Sequence, residues 1–188
     1  MRISAGHCRQ LGATPDTHGV NFAIWARLAS RVELLLFASA DDATPEVIPL
    51  SPRLNRTAYY WHIHVEGISV GQRYAYRIQG PWRPYGGTRF DAEKVLLDPY
   101  GRSIELGAHY DRWAAARPGS NLACCAKNKV VDTRYYDWEG DKLPAHSLSR
   151  SVIYELHVGG FTKSPSSGVD PTLRGTYLGL IEKIPYLQ

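Results

Sequence analysis

Gly19-Val20-Asn21-Phe22-Ala23-Ile24-Trp25-Ala26 and, one short turn later, Val32-Glu33-Leu34-Leu35-Leu36 decide the fold class. In the first run Val20, Phe22, Ile24 and Ala26 alternate with Asn21, Ala23 and Trp25; in the second, Val32, Leu34 and Leu36 alternate with Glu33 and Leu35. A period of two places each set on its own face, so both runs read as half-buried strands. Glu46 to Leu50, Ala58 to Glu66 and Arg73 to Gln79 continue the pattern, and Ser51-Pro52 and Gly67 to Gly71 break it. Short strands punctuated by turn residues predict a mainly β protein built on an immunoglobulin-like β-sandwich.

Beyond Gly80 the character changes. Pro81-Trp82-Arg83-Pro84-Tyr85-Gly86-Gly87 holds two prolines and two glycines, which exclude a regular ladder and predict an ordered aromatic loop. Phe90 to Gly101 reads as a short helical turn, then the apolar Val95-Leu96-Leu97, then a stop at Asp98-Pro99. Leu106 to Leu148 lacks sustained periodicity, and so long an irregular stretch predicts a segment wrapping between two domains. The expected boundaries are 1–105 for the sandwich, 106–150 for the connection and 151–188 for a second domain. There Val152-Ile153-Tyr154-Glu155-Leu156-His157-Val158 reads as a buried strand stopped by Gly159-Gly160. Thr176 then stands as an N-cap before a helical run carrying Leu180, Ile184 and Leu187, with Pro185 set to kink that helix or start another. Strand, loop and helix make the opening of a βα unit, which needs a parallel neighbour.

Composition narrows the function classes. Across 188 residues, 22 Lys+Arg face 18 Asp+Glu for a net charge of +4, spread without a basic run, so nucleic-acid binding has no support. Hydrophobic residues at 44% and charged residues at 21% predict a folded core rather than disorder. Twelve Tyr and five Trp against four Phe mean that most rings carry a polar edge, which suits sugar contact as well as cores. Cys8, Cys124 and Cys125 lack the spacing of a disulfide scaffold or zinc site, and the N-terminus lacks a signal peptide's apolar stretch. A cytoplasmic protein without membrane span, cofactor or metal is the expectation, and the Asn55-Arg56-Thr57 sequon is read as accidental.

Several stretches carry a resemblance in order along the chain. Leu11-Gly12-Ala13-Thr14, Gly19 to Ala23 and Val32-Glu33-Leu34 are followed by Arg89-Phe90-Asp91, Lys94-Val95-Leu96-Leu97-Asp98-Pro99-Tyr100 and Tyr136-Asp137-Trp138-Glu139-Gly140-Asp141. Val152 to Thr162 and Arg174-Gly175-Thr176-Tyr177 complete the series. Together they resemble the N-terminal part of isoamylase-type glycogen debranching enzymes of glycoside hydrolase family 13. The resemblance implies a sandwich similar to carbohydrate-binding module family 48, then the first strand and helix of a (β/α)8 barrel that hydrolyses α-1,6 linkages in glycogen-like glucans. Trehalose-releasing hydrolases and branching enzymes share the Tyr-Glu-x-His strand; the Arg174 to Tyr177 and Lys94 to Tyr100 stretches favour the debranching type.

A complete barrel takes about 250 residues. The stretch from Ser151 to Gln188 has room for one unit of eight, so the chain is expected to stop inside a truncated barrel. Retaining glycosidases need two carboxylates about 5–5.5 Å apart, which the family places on later strands. The chain alone is therefore expected to be inactive, and Asp137, Asp141 and Asp170 receive no catalytic role. The expected partners are glycogen or another α-glucan, and a polypeptide supplying the rest of the barrel. The alternatives are a non-catalytic glucan-binding or regulatory module and an inactive truncated gene product.

Trp82 and Tyr85 are the loop candidates for substrate contact, with sugar stacking and structural packing both open. Trp25 and Trp61 are read as core. Glu155 and His157 share a face of the last strand and are carried as substrate-binding candidates, against the reading of a buried pair that fixes packing. His62 and His64 also share a face but have no third ligand, so a solvated strand face is preferred to a metal site.

Overall fold

The computed structural model describes residues 1–188, which form two compact units, Met1–Tyr136 and Asp137–Gln188. The first holds thirteen strands: β1 (Ile3–Ser4), β2 (Gly12–Pro15), β3 (Gly19–Trp25), β4 (Arg31–Phe37), β5 (Glu46–Pro49), β6 (Arg56–Thr57), β7 (Tyr60–Glu66), β8 (Arg73–Gln79), β9 (Trp82–Arg83), β10 (Thr88–Arg89), β11 (Val95–Leu96), β12 (Ile104–Glu105) and β13 (Lys127–Lys129). One sheet runs β1-β7-β3-β2 with β6 beside β7; the other runs β12-β13-β8-β4-β5 with β11 beside β8. All pairs are antiparallel, and the five long runs expected from the alternation lie at β3, β4, β5, β7 and β8.

Alternation explains the core. Val20, Phe22 and Ile24 of β3 and Trp61, Ile63 and Val65 of β7 meet Val32, Leu34 and Leu36 of β4 and Tyr74, Tyr76 and Ile78 of β8 in one buried cluster. Trp61 is a core residue, as expected. The strands are not half-buried, however: β3 exposes only Trp25 and β4 only Arg31. Leu35, Phe37 and Ala75 form a second cluster with Val95 and Cys125, so chain after β8 covers the outer face of that sheet. On the other sheet, residues 5–7 lie over Asn21 and His62. Gly6 adopts φ +68 there, and a Cβ would come within 2.6 Å of the Ile63 backbone, so only glycine lets the chain pass this close.

The second sheet takes a strand, β13, from beyond residue 105, so pairing continues into the stretch expected to be a connection. Asp98 and Asn128 explain this locally. The Asn128 side chain accepts from Asp98 N–H at 2.7 Å, while Asp98 accepts from the Tyr74 hydroxyl at 2.9 Å and from Tyr100 N–H at 2.8 Å. Asp98 thus fastens β8 and the Asp98-Pro99-Tyr100 stop through its buried carboxylate and β13 through its N–H.

In the second unit the expected strand Val152–Val158 is not formed. Val152 is 95% and Ile153 85% exposed, and no strand pairs with them. A barrel strand obtains its hydrogen bonds and cover from neighbours, and this unit holds none. Its ordered elements are the short helices α2 (Val158–Phe161), α3 (Tyr177–Ile181) and α4 (Ile184–Leu187); α1 (Arg112–Ala116) belongs to the first unit. Thr176 caps α3, its hydroxyl accepting from Gly179 N–H at 3.2 Å, and Pro185 sits in the first turn of α4, so the expected cap and restart both occur. No helix is long and apolar enough to cross a membrane.

Candidate functional site

The aromatic loop after β8 is a small hairpin. Pro84 starts a 3-10 turn through Gly86, and Gly87, at φ +80, returns its N–H to the Pro84 carbonyl at 3.2 Å. This reversal pairs Arg89 with Trp82 and Thr88 with Arg83, so a two-residue ladder forms in spite of the prolines. Trp82 is 56% exposed and Tyr85 fully so.

Trp25 lies at the open end of β3 and is 51% exposed, which corrects its reading as a core residue. The reason is its place at the end of the strand. Trp25 shares a face with buried Asn21 and Ala23, but it is the last residue of β3, and the chain turns away after Ala26.

Trp25, Arg27 and Leu28 line one side of an open cavity of about 500 Å³, with Gly87, Thr88 and Phe90 from the hairpin region and Leu96 of β11 also on its walls. A neighbouring hollow of about 300 Å³ shares Thr88, Phe90 and Leu96 and adds Arg89, Asp91 and Lys94. Neither Trp82 nor Tyr85 lines these hollows; their hairpin supplies a wall through Gly87, Thr88 and Arg89. Phe90 is seated over Gly80, where a Cβ would meet the ring at 2.7 Å. Gly80 therefore permits the floor of the groove, a role the sequence pattern did not reveal.

The remaining wall is fastened by polar side chains. Asp91 accepts from Gly119 N–H at 2.8 Å and Glu93 N–H at 3.0 Å, and these two donors lower its pKa against the opposing effect of burial. Lys94 is buried and donates to the carbonyls of Ala114 and Arg117, at 2.8 and 2.6 Å, at the C-terminal end of α1. Asn121 continues the β11 pairing with its amide, accepting from Val95 N–H and donating to the Val95 carbonyl. The Lys94 to Tyr100 motif is thus spent on building the wall.

Glu155 and His157 are exposed on the unpaired stretch of the second unit, so the expected buried pair is absent. His157 Nδ1 instead accepts from Gly160 N–H at 3.0 Å and caps α2. His62 is buried, which corrects its reading as part of a solvated strand face. Its Nδ1 donates to the Ala5 carbonyl at 2.8 Å, which fixes the tautomer so that Nε2 accepts from the Thr57 hydroxyl at 2.9 Å. His64 pairs with Asp16 at 3.0 Å. No group of three His, Cys, Asp or Glu residues is placed to hold a metal ion. The three cysteines are free, and burial pushes the Cys125 thiol up, away from reactivity. Asn55 of the sequon is buried, with its side chain bonded to Ser51 N–H and the Ala5 carbonyl.

The fold and groove define an antiparallel sandwich module with aromatic rings exposed at one end. Residues 10–101 match the model of carbohydrate-binding module 48, the isoamylase N-terminal domain. With its similarity to curated relatives along the whole length, the chain belongs with the isoamylase-type proteins, as their N-terminal part. It is 37% identical to the chloroplastic isoamylase 1 of Oryza sativa subsp. japonica, over 100% of this chain and 23% of that protein. It is 38% identical to the glycogen debranching enzyme of Cronobacter sakazakii, over 96% of this chain and 27% of that protein. The chain thus spans about a quarter of the length of these relatives. Among solved structures, the pullulanase of Paenibacillus barengoltzii, in complex with maltohexaose and α-cyclodextrin, matches with a TM-score of 0.61 and 25% identity, over 94% of this chain and 23% of that chain. The pullulanase of Bacillus acidopullulyticus matches with a TM-score of 0.60 and 26% identity, over 90% of this chain and 18% of that chain.

Proposed function

We propose that this chain is the N-terminal, α-glucan-binding portion of an isoamylase-type debranching enzyme, acting on α-1,6 branch linkages in glycogen-like glucans, and that the catalytic carboxylates are supplied by residues outside it. The observation that carries the reading is the exposure of Trp25 on the wall of one groove, with Trp82 exposed on the hairpin whose other residues form part of the opposite wall. A flat ring half-exposed at a groove rim stacks on a pyranose face, whereas a ring needed for stability is covered, as Trp61 is. In the same reading, residues 151–188 begin a barrel. The unpaired stretch at Val152–Val158 then becomes its first strand once neighbouring strands lie beside it, and Glu155 and His157 turn toward the sugar site only in that setting.

Co-sedimentation with glycogen tests the binding. The chain should pellet with the polymer, and Trp25→Ala and Trp82→Ala should each weaken binding by about 3–10-fold with an unchanged fold. No binding by the unsubstituted chain removes the glucan reading. The chain alone should release no reducing ends from glycogen, and clear turnover would overturn the placement of the carboxylates elsewhere.

A further inference from the structure

The β2–β3 turn, the β7–β8 turn and the chain after β13 converge on an open hollow of about 340 Å³, all within the first unit. The turn side lies before Gly19 and the Trp25 groove at the far end of β3, so the seven residues of that strand, roughly 20 Å, separate the two.

The walls of the hollow are tied together. Arg134 donates from Nη2 to the Pro15 carbonyl at 2.8 Å and clasps Asp132 with Nε at 2.9 Å and Nη2 at 2.6 Å. Gly71 N–H donates to the Val130 carbonyl at 2.8 Å and Val130 N–H to the Gln72 carbonyl at 2.9 Å, which fixes the β7–β8 turn against the same segment. The Arg134 guanidinium also lies over the Tyr135 ring at 5.5 Å, which orders the ring while leaving it 83% exposed. A ring held in place beforehand gives up less side-chain freedom when a ligand stacks on it.

The lining differs from that of the Trp25 groove. There, besides Trp25 itself, only Arg27 and Thr88 bring polar side chains. Here Tyr135 and Val70 supply apolar surface, with carboxylates, hydroxyls and a guanidinium around them. Asp16 takes three donors, the His18 and Gly19 N–H groups and His64 Nε2, and Asp132 takes three from Arg134. A carboxylate has about four acceptor sites, so each keeps about one. The Thr17 hydroxyl and Arg134 Nη1 are not spent in these bonds. Charge is close to balanced, since Arg134 and Arg102, which is bonded to Thr133 at 3.0 Å, face Asp132 while His64 faces Asp16. Such a lining selects neither an anion nor a cation. It suits a neutral ligand whose hydroxyls donate and accept around an apolar face, which describes a pyranose. A hollow near the low end of the range for ligand cavities, about 300–1,000 Å³, holds about one or two sugar residues.

We propose that this hollow is a second saccharide site, taking a short stretch of neutral α-glucan at the end of the sandwich opposite the Trp25 groove. Tyr135 stacks on the sugar ring, and Asp16, Asp132 and Thr17 bond its hydroxyls. The class of sugar rests on the glucan-binding reading above.

Titration of the isotopically labelled chain with maltotriose, followed by amide chemical shifts, tests it. Residues 16–19, 69–71 and 132–135 should shift as one set with a single dissociation constant. Tyr135→Ala should weaken that set by about 3–10-fold and Thr17→Val by about 2–5-fold, while Tyr135→Phe keeps the ring and the affinity. Both side chains are exposed, so neither change costs the fold. Shifts in the hollow that Tyr135→Ala does not weaken overturn the stacking role and the site with it. No shift in the hollow overturns the second site and, where residues 25–28 and 87–97 respond, leaves the groove reading standing. Failure to pellet with glycogen as well overturns both.

Discussion

Val32-Glu33-Leu34-Leu35-Leu36 and Val152-Ile153-Tyr154-Glu155-Leu156 are nearly the same kind of peptide, and the molecule treats them in opposite ways. The first is buried on both faces, with β8 and β5 bonded to its edges. The second is exposed and unpaired, apart from half-buried Leu156. Branched apolar residues favour a strand only where a pleated surface receives them, because strand stability lies in cross-strand and face-to-face contacts. Helical signals behave differently. Thr176 and Pro185 act within a few residues, and both do in the second unit what their types dictate.

The largest test of this contrast substitutes equivalent positions. Leu34→Ala removes a fully buried side chain between two sheets and should cost about 2–5 kcal/mol in urea unfolding of the sandwich. Ile153→Ala, at an exposed site, should stay within about 0.5 kcal/mol. Amide exchange should follow suit, with Val32 to Leu36 protected and Val152 to Leu156 open. Protection of the second stretch, or a large cost at Ile153, would break the comparison by showing that this segment has found cover.

Next in size is the cap of α3. Thr176→Ala should remove about 1 kcal/mol of local helix stability. Carbon chemical shifts over residues 177–181 should move toward coil while the sandwich melts at an unchanged temperature. A matching drop in sandwich stability would mean that the two regions unfold together.

How much was legible in the sequence follows the same division. The five long strands were readable because period-two alternation reports a face that will be buried, and the C-terminal cap and restart because their chemistry is local. The outer cover was not readable. Leu35 fell on the face opposite Leu34 and Leu36 with nothing to mark it as covered, because its lids, Val95 and Cys125, lie far along the chain in stretches with little periodicity. Trp25 was misread because alternation does not show where along a face the cover stops: Asn21 and Ala23 on its own face are buried. The exposure of Trp82 was legible because two prolines and two glycines mark its stretch as a loop. The pairing of Arg89 with Trp82 was not legible, since it depends on a turn register that composition does not fix.

The smallest expected effect concerns the buried polar knot that closes the sandwich. Burial holds the Asp98 carboxyl above its ordinary value, although Tyr100 N–H and the Tyr74 hydroxyl both favour the charged form. Between the unfolded value near about 4 and the raised folded value, the folded chain keeps a proton that the unfolded chain has released. Stability from this group therefore falls as pH rises through that window and is level above it. Asp91 works in the opposite sense: its lowered pKa gives stability that is present above the unfolded value and lost as pH falls through the folded one. Asp98→Asn removes the first effect alone. The amide keeps one acceptor for Tyr100 N–H and offers a donor to the Tyr74 oxygen, so the net change at neutral pH should be within about 1 kcal/mol. Measured against the unsubstituted chain, however, the variant's relative stability should rise from pH 4 upward and then level off. A difference that is flat with pH would mean that the carboxylate carries no burial cost and that the knot is solvated. A difference that falls would mean that the hydrogen bonds to the charged form outweigh burial.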